Sequence, residues 1–257
     1  MSSSQTKLSL VGRLAHLPKP DGPHARLGVL WFILACAACA LGTAAVAVVF
    51  AVVSAVAAMQ TVRAWDAFGK RSNPVLAGLF TAVVPIVALW GPIGFGAGLI
   101  VLVGAMILGS VVLHSDVVVG LRAALLPAVA AGSVVLIARA DMGALVVLLV
   151  LVSVYEIGDY LMGSEAGSVF EGPLCGIAAV MVVTFAAAVL QLGPFETGAA
   201  WVFGSLAAVL APLGAPLASA LAPSAQSSLP ALRRLDVWLV VTPVWGLMLG
   251  NYLAQNT

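Results

Sequence analysis

The chain has 257 residues, of which 62% are hydrophobic and 8% charged, and its mean hydropathy is +1.15. Soluble domains carry about 25% charged residues, so this composition excludes a soluble globular protein and implies a polytopic, all-α integral membrane protein. The formal net charge of +1, with no basic stripe outside short loops, excludes a nucleic-acid partner.

Residues 1–26 form a polar tail bearing Lys7, Arg13, Lys19 and Arg26. Within it Leu10, Val11, Leu14 and Leu17 recur at helical spacing opposite Arg13 and His16. That pattern fits either a short interfacial helix lying on the bilayer or an unstructured tail. A signal peptide is not expected, because the polar stretch is long and the apolar run after it continues beyond an h-region's length. Residues 27–257 read as a single transmembrane helical domain, with no repeat at solenoid spacing.

Apolar segments fall at 28–41, 44–62, 74–90, 93–113, 117–138, 143–158, 173–191, 199–222 and 237–253. A spanning helix needs about 20 residues, and most of these segments qualify. From Leu27 to Val62 no charge occurs, a length awkward for one helix and short for two, with Gly42-Thr43 as the only turn-like punctuation. Charge placement decides between them. The loop after the second segment carries Arg63, Lys70 and Arg71, and the tail is also basic. Cytoplasmic loops are enriched in Lys and Arg, so both should lie inside, which requires two passes between them. The count then gives nine spans, a cytoplasmic N-terminus and an external C-terminus, in the plasma membrane of a prokaryote. Of the eleven Lys and Arg, only Arg139 falls outside.

Cys36 and Cys39 form a C-x-x-C, and Cys175 stands alone. No second Cys or His pair completes a metal or redox site, so all three read as small residues in membrane helices. His114 and Asp116 do not share a helical face. No Gly-x-Ser-x-Gly elbow and no Gly-x-x-x-x-Gly-Lys phosphate loop occurs. Gly104–Gly109 reads as close helix packing. The six Trp residues mostly fall near span ends, as an aromatic belt requires.

The stretch Tyr155–Gly172 holds Glu156, Asp159, Glu165 and Glu171 with no Lys or Arg. Glu156 and Asp159, three apart, project from one helical face. A carboxylate at mid-bilayer costs about 2.5–3.5 kcal/mol even on the lenient insertion scale. One reading places these acids where the sixth span emerges into water. The other brings Glu156, Glu171 and Asp236 together around a divalent cation, since hard cations take carboxylate oxygens.

YEIGDYLMG, then FEGPLCGIAAV, then LRRLDVWLVVTPV resemble, in that order, the phosphatidate cytidylyltransferases (CDP-diacylglycerol synthases). AAMQTVRAWDAFGKRSNPVLAG is similar to an early segment of the same family. The family pattern runs A-D-T-G-A-Y-F-x-G, S-P-x-K-T-x-E-G-x-x-G-G, G-D-L-x-E-S-x-x-K-R and finally D-R-x-D. By this resemblance Gly158, Tyr160 and Gly163 match the first motif, with Glu156 in place of its Asp. Glu171, Gly172 and Gly176 match the second, and Arg234 and Asp236 the last. The resemblance implies Glu156, Tyr160, Glu171, Arg234 and Asp236 as catalytic positions. It implies Gly158, Gly163, Gly172, Arg233 and Arg234 as lipid- or nucleotide-binding positions, and Glu156, Glu171 and Asp236 as metal ligands.

The departures remove charge. Gly167 and Ser168 stand at the Lys-Thr of the second motif. Ala215 replaces Asp, Ala218 replaces Glu and Ala222-Pro223 replace Lys-Arg in the third, where Gly214 and Ser219 survive. Arg233 stands at the first Asp of D-R-x-D. Transfer of a cytidylyl group to a lipid phosphate joins two polyanions and depends on metal ions and cationic side chains. The expectation is therefore a catalytically degenerate relative that acts by binding membrane lipids, or as a partner subunit in a homodimer or membrane-protein complex. The alternatives are an active CTP-dependent enzyme using Mg²⁺ and phosphatidic acid, and a transporter or channel.

Overall fold

The computed structural model describes residues 24–163, 168, 170–191, 193–224 and 227–256. The expected interfacial helix of the tail, and Glu165 and Gly167, lie outside the described residues.

Among the described residues all regular structure is helical. In chain order the elements are α1 (His24–Leu41), α2 (Thr43–Asp66), α3 (Pro74–Val87), α4 (Pro92–Leu113), α5 (Val117–Ala140), α6 (Met142–Gly163), α7 (Glu171–Leu190), α8 (Thr197–Leu210), α9 (Gly214–Leu221) and α10 (Pro230–Asn256). A 3₁₀ turn, Ala88–Trp90, extends α3, and another, Ala211–Leu213, joins α8 to α9. Seven helices are long and apolar enough to cross a membrane: α2, α4, α5, α6, α7, the α8–α9 unit and α10. Two shorter apolar helices are Gly28–Leu41 and Pro74–Trp90. The chain is an all-α, multi-pass membrane protein.

The helix ends follow local chemistry. Gly42 has φ 101° and ψ 179°, a conformation essentially restricted to glycine, and it separates α1 from α2. The uncharged run from Leu27 to Val62 is therefore two helices, as charge placement requires. Pro74 opens α3 and Pro92 opens α4, where a missing N–H costs nothing. Asn73, Asp116 and Asp141 cap the helices that follow by accepting the Leu76, Val118 and Ala144 amides at 3.0, 3.0 and 2.7 Å. Two sequence boundaries need correction. α2 runs on to Asp66, so Arg63 and Trp65 belong to its last turn and not to a loop. α6 runs on to Gly163, five residues beyond the apolar segment, so Glu156 and Asp159 both lie within the helix.

α5 is the central helix, 67% buried, whereas α4 is peripheral at 17%. Its small residues Ala123, Ala124, Ala128, Ala130 and Ala131 are buried and let α2, α3 and α10 approach closely. Apolar contact with lipid supplies no net drive for helix association, so close van der Waals packing carries it. Buried hydroxyls are satisfied within their own helices: Thr61, Thr81 and Thr184 donate to the carbonyls four residues back. Trp31, Phe50 and Trp238 stack edge-on at 5.4 and 5.3 Å, joining α1, α2 and α10. Phe203, Trp245 and Tyr252 pack around Phe195. Trp238 and Trp245 are 1% and 0% exposed, so the belt account does not cover them; they are core residues. In Gly104–Gly109 only the second glycine packs as expected, against Leu76, while Gly104 has open space around it.

Contacts between connections sort the charges. Asp116 pairs with Lys70 at 3.9 Å and its amide donates to the Arg71 carbonyl at 2.7 Å. Trp65 donates to the Leu221 carbonyl, and the Ala231 amide donates to Gln60. Arg63, Lys70, Arg71, Arg122, Arg233 and Arg234 thus lie at one end of the bundle. Arg139, beside Gly91, lies at the other.

Candidate functional site

The acidic stretch and the last helix meet at the basic end. Tyr155 and Gly158 face the interior of α6 and are buried, while Glu156, Asp159 and Tyr160 are half-buried. Glu156 stands within electrostatic reach of Asp236, Arg234 and Asp159, and Asp236 within reach of Arg233, Asp159 and Arg234. Among the described residues, three carboxylates and two guanidinium groups therefore share one region. Glu156 Oε1 is buried and has no hydrogen-bond partner among the described residues. An unpartnered buried carboxylate oxygen is costly unless a proton or a positive ligand joins it.

The first turns of α10 are held from two sides. Arg233 donates to Ser219 Oγ of α9 at 3.3 Å. Gly214, at the start of α9, lies against the backbone of Asp236 and Val237; a Cβ there would stand 2.5 Å from the Asp236 carbonyl oxygen. Asp236 Oδ1 accepts the Val237 amide at 2.6 Å. The Arg234 guanidinium reaches Gly28 of α1, where a Cβ would stand 3.1 Å from it.

The four glycines of the first two motifs have a common packing role. A Cβ on Gly158 would stand 2.9 Å from the Cα of Gly176, and one on Gly172 would stand 2.5 Å from Asp159 Oδ1 and 3.1 Å from the Cα of Gly163. These contacts bring α6 and α7 together backbone to backbone, as small residues do between membrane helices. They also place Asp159 against the first turn of α7.

The proposed three-carboxylate metal set is only partly gathered. Glu156 and Asp236 share the acidic region, with Asp159 as the third acid. Glu171 is exposed in the first turn of α7, where its charge favours the helix N-terminus. Among the described residues no group of three His, Cys, Asp or Glu is placed to hold a metal ion.

Asp159 was visible through the helical face it shares with Glu156, although it matches no motif position. Other contributors escaped the sequence. Gln60, Trp65 and Arg122 hold the α9–α10 corner: Arg122 lies 4.8 Å over the Trp65 ring and donates to the Ala220 carbonyl. Separations of roughly one hundred residues and more leave no local signal for such contacts. No family model, no curated protein and no solved structure matches the chain.

Proposed function

We propose that this chain is a catalytically degenerate relative of the phosphatidate cytidylyltransferases, a nine-span protein of a prokaryotic plasma membrane with its N-terminus in the cytoplasm. It acts by binding phospholipid or as a partner subunit of a membrane assembly. Support for the count comes from the seven long helices and the two shorter apolar ones, Gly28–Leu41 and Pro74–Trp90. Support for the orientation comes from Arg63, Lys70, Arg71, Arg122, Arg233 and Arg234 at one end against Arg139 at the other.

One observation carries the degenerate reading. The segment that resembles the charged signature is packed as apolar core. Ala218, Leu221 and Ala222 are 2%, 6% and 6% exposed and belong to the main hydrophobic cluster. Restoring Glu at 218 or Lys at 222 would bury charge among apolar side chains, at a cost of several kcal/mol. Support for the family resemblance itself comes from convergence. The stretches around Glu156, Gly172, Gly214 and Asp236 are distant in sequence and meet at one end of the bundle.

The test is turnover. Purified protein in detergent, given CTP, Mg²⁺ and phosphatidic acid, is expected to form no CDP-lipid and release no pyrophosphate. Product formation that disappears in Asp236→Asn would overturn the reading in favour of an active enzyme. Solute flux in proteoliposomes, abolished by Glu156→Gln, would instead favour a transporter.

A further inference from the structure

A second feature lies at the opposite end of the bundle and is independent of the acidic region. The outer surface of the α3–α4 hairpin carries a groove of about 440 Å³ lined by Val83, Val87, Trp90, Ile93, Ala97 and Val101 among other apolar residues. Trp90, Ile93 and Val101 are 72%, 88% and 48% exposed, so no other described helix covers it. Its floor is built by glycine. A Cβ on Gly98 would stand 2.5 Å from a Val87 methyl, and one on Gly94 would strike the Val87 carbonyl.

The groove has a defined depth. From Ile93 to Val101 the rise along α4 is about 12 Å at ~1.5 Å per residue. Half of a hydrocarbon core of about 30 Å is close to that length. Trp90, at the chain reversal, suits the membrane–water boundary. The groove thus runs from one interface towards the bilayer midplane, the path of a single acyl chain.

A cation stands at its mouth. Arg139 is in the last turn of α5 and is exposed. Its guanidinium lies over the Trp90–Pro92 turn, 3.9 Å from where a Cβ on Gly91 would be. Among the described residues Arg139 has no ion pair or hydrogen bond, and no other described Lys or Arg lies at this end. The nearest acid in sequence, Asp141, accepts the Ala144 amide as the cap of α6 and, among the described residues, makes no ion pair with Arg139. An Arg fork matches phosphate oxygens, and such charge-assisted hydrogen bonds are about twice as strong as neutral ones.

We propose that the α3–α4 groove and Arg139 together bind one anionic glycerophospholipid from the leaflet at the Trp90 end. Its acyl chain lies along Ile93, Ala97 and Val101, and its headgroup phosphate receives the Arg139 guanidinium. An anionic headgroup is favoured over a zwitterionic one because the Arg139 guanidinium makes no ion pair among the described residues. The phosphate of a choline lipid, by contrast, already carries its own counter-charge.

Native mass spectrometry of the detergent-purified protein, offered phosphatidylglycerol and phosphatidylcholine with identical chains, tests this. The wild-type protein is expected to retain one phosphatidylglycerol in preference to phosphatidylcholine. Arg139→Gln should weaken phosphatidylglycerol retention about tenfold, the scale of one charge-assisted contact, and abolish the preference. Ala97→Trp fills the groove from an exposed position and should reduce retention of both lipids. A thermal melt of each variant within a few degrees of wild type excludes unfolding as the cause. Unchanged retention in both variants overturns the proposal. So does displacement of the lipid by millimolar inorganic phosphate, which would make the site a simple anion site. So does a wild-type dimer that Ala97→Trp converts to a monomer, since the groove's occupant would then be a second copy of the chain.

Discussion

The indole N–H of Trp65, in the last turn of α2, donates to the carbonyl of Leu221, the last residue of α9, at 2.9 Å across 156 positions of sequence. Arg122 covers the same ring at 4.8 Å and donates to the neighbouring Ala220 carbonyl. The carbonyls at a helix C-terminus lack intrahelical partners and carry partial negative charge, so both donors meet a real need. Together they fix the corner from which α10 departs towards the acidic region.

Trp65→Phe keeps the ring and removes the donor. It should lower stability by about 1 kcal/mol, a shift of roughly 2–4 °C in a thermal melt. Amide exchange at Ser227, Ser228 and Leu229 should quicken, because that connection loses an anchor. Arg122→Lys should produce a similar loss, since an ammonium lacks the planar fork that stacks on the ring while donating to a carbonyl. Unchanged melting and exchange in both variants would mean that the corner is held elsewhere.

Gly158 and Gly104 make a matched pair. A methyl at Gly158 meets the Gly176 backbone, whereas one at Gly104 meets nothing within 4 Å. Gly158→Ala should force α6 and α7 apart at a cost of about 1–3 kcal/mol. Gly104→Ala should be neutral, or stabilising by up to about 1 kcal/mol through helix propensity. Equal melting temperatures for the two variants would contradict the backbone contact between α6 and α7.

The orientation is tested by labelling in cells. In a background without Cys36, Cys39 and Cys175, Lys70→Cys should react with an impermeant maleimide only after the membrane is opened. Glu196→Cys, exposed at the other end, should react in intact cells. The reverse pattern would invert the protein in the bilayer. Labelling of both in intact cells would break the alternation of the spans.

Much of the architecture was legible because composition and charge act over whole segments. The two-helix reading of residues 27–62 rested on loop charges, and Gly42 supplies the break that it required. Helix ends were less legible. Tyr155–Met162 carries two acids, but both sit half-buried on a helix that simply continues. The same inversion affected Trp238 and Trp245. A tryptophan in a membrane sequence reads as an interface anchor, and here both rings fill the core between α10 and its neighbours. In the acidic region, Glu156 with Asp159 was legible from their i, i+3 spacing. The approach of Arg233 to Ser219, and the exclusion of Glu171, depend on how α7, α9 and α10 pack, which no local pattern encodes.

The central claim is that the basic end of the bundle no longer handles a nucleoside triphosphate. Its most direct measurement is CTP binding itself, by calorimetric titration of the purified protein with and without Mg²⁺. The account predicts no saturable heat up to millimolar CTP in either condition. Saturable, Mg²⁺-dependent binding that is lost in both Glu156→Gln and Asp236→Asn would contradict it.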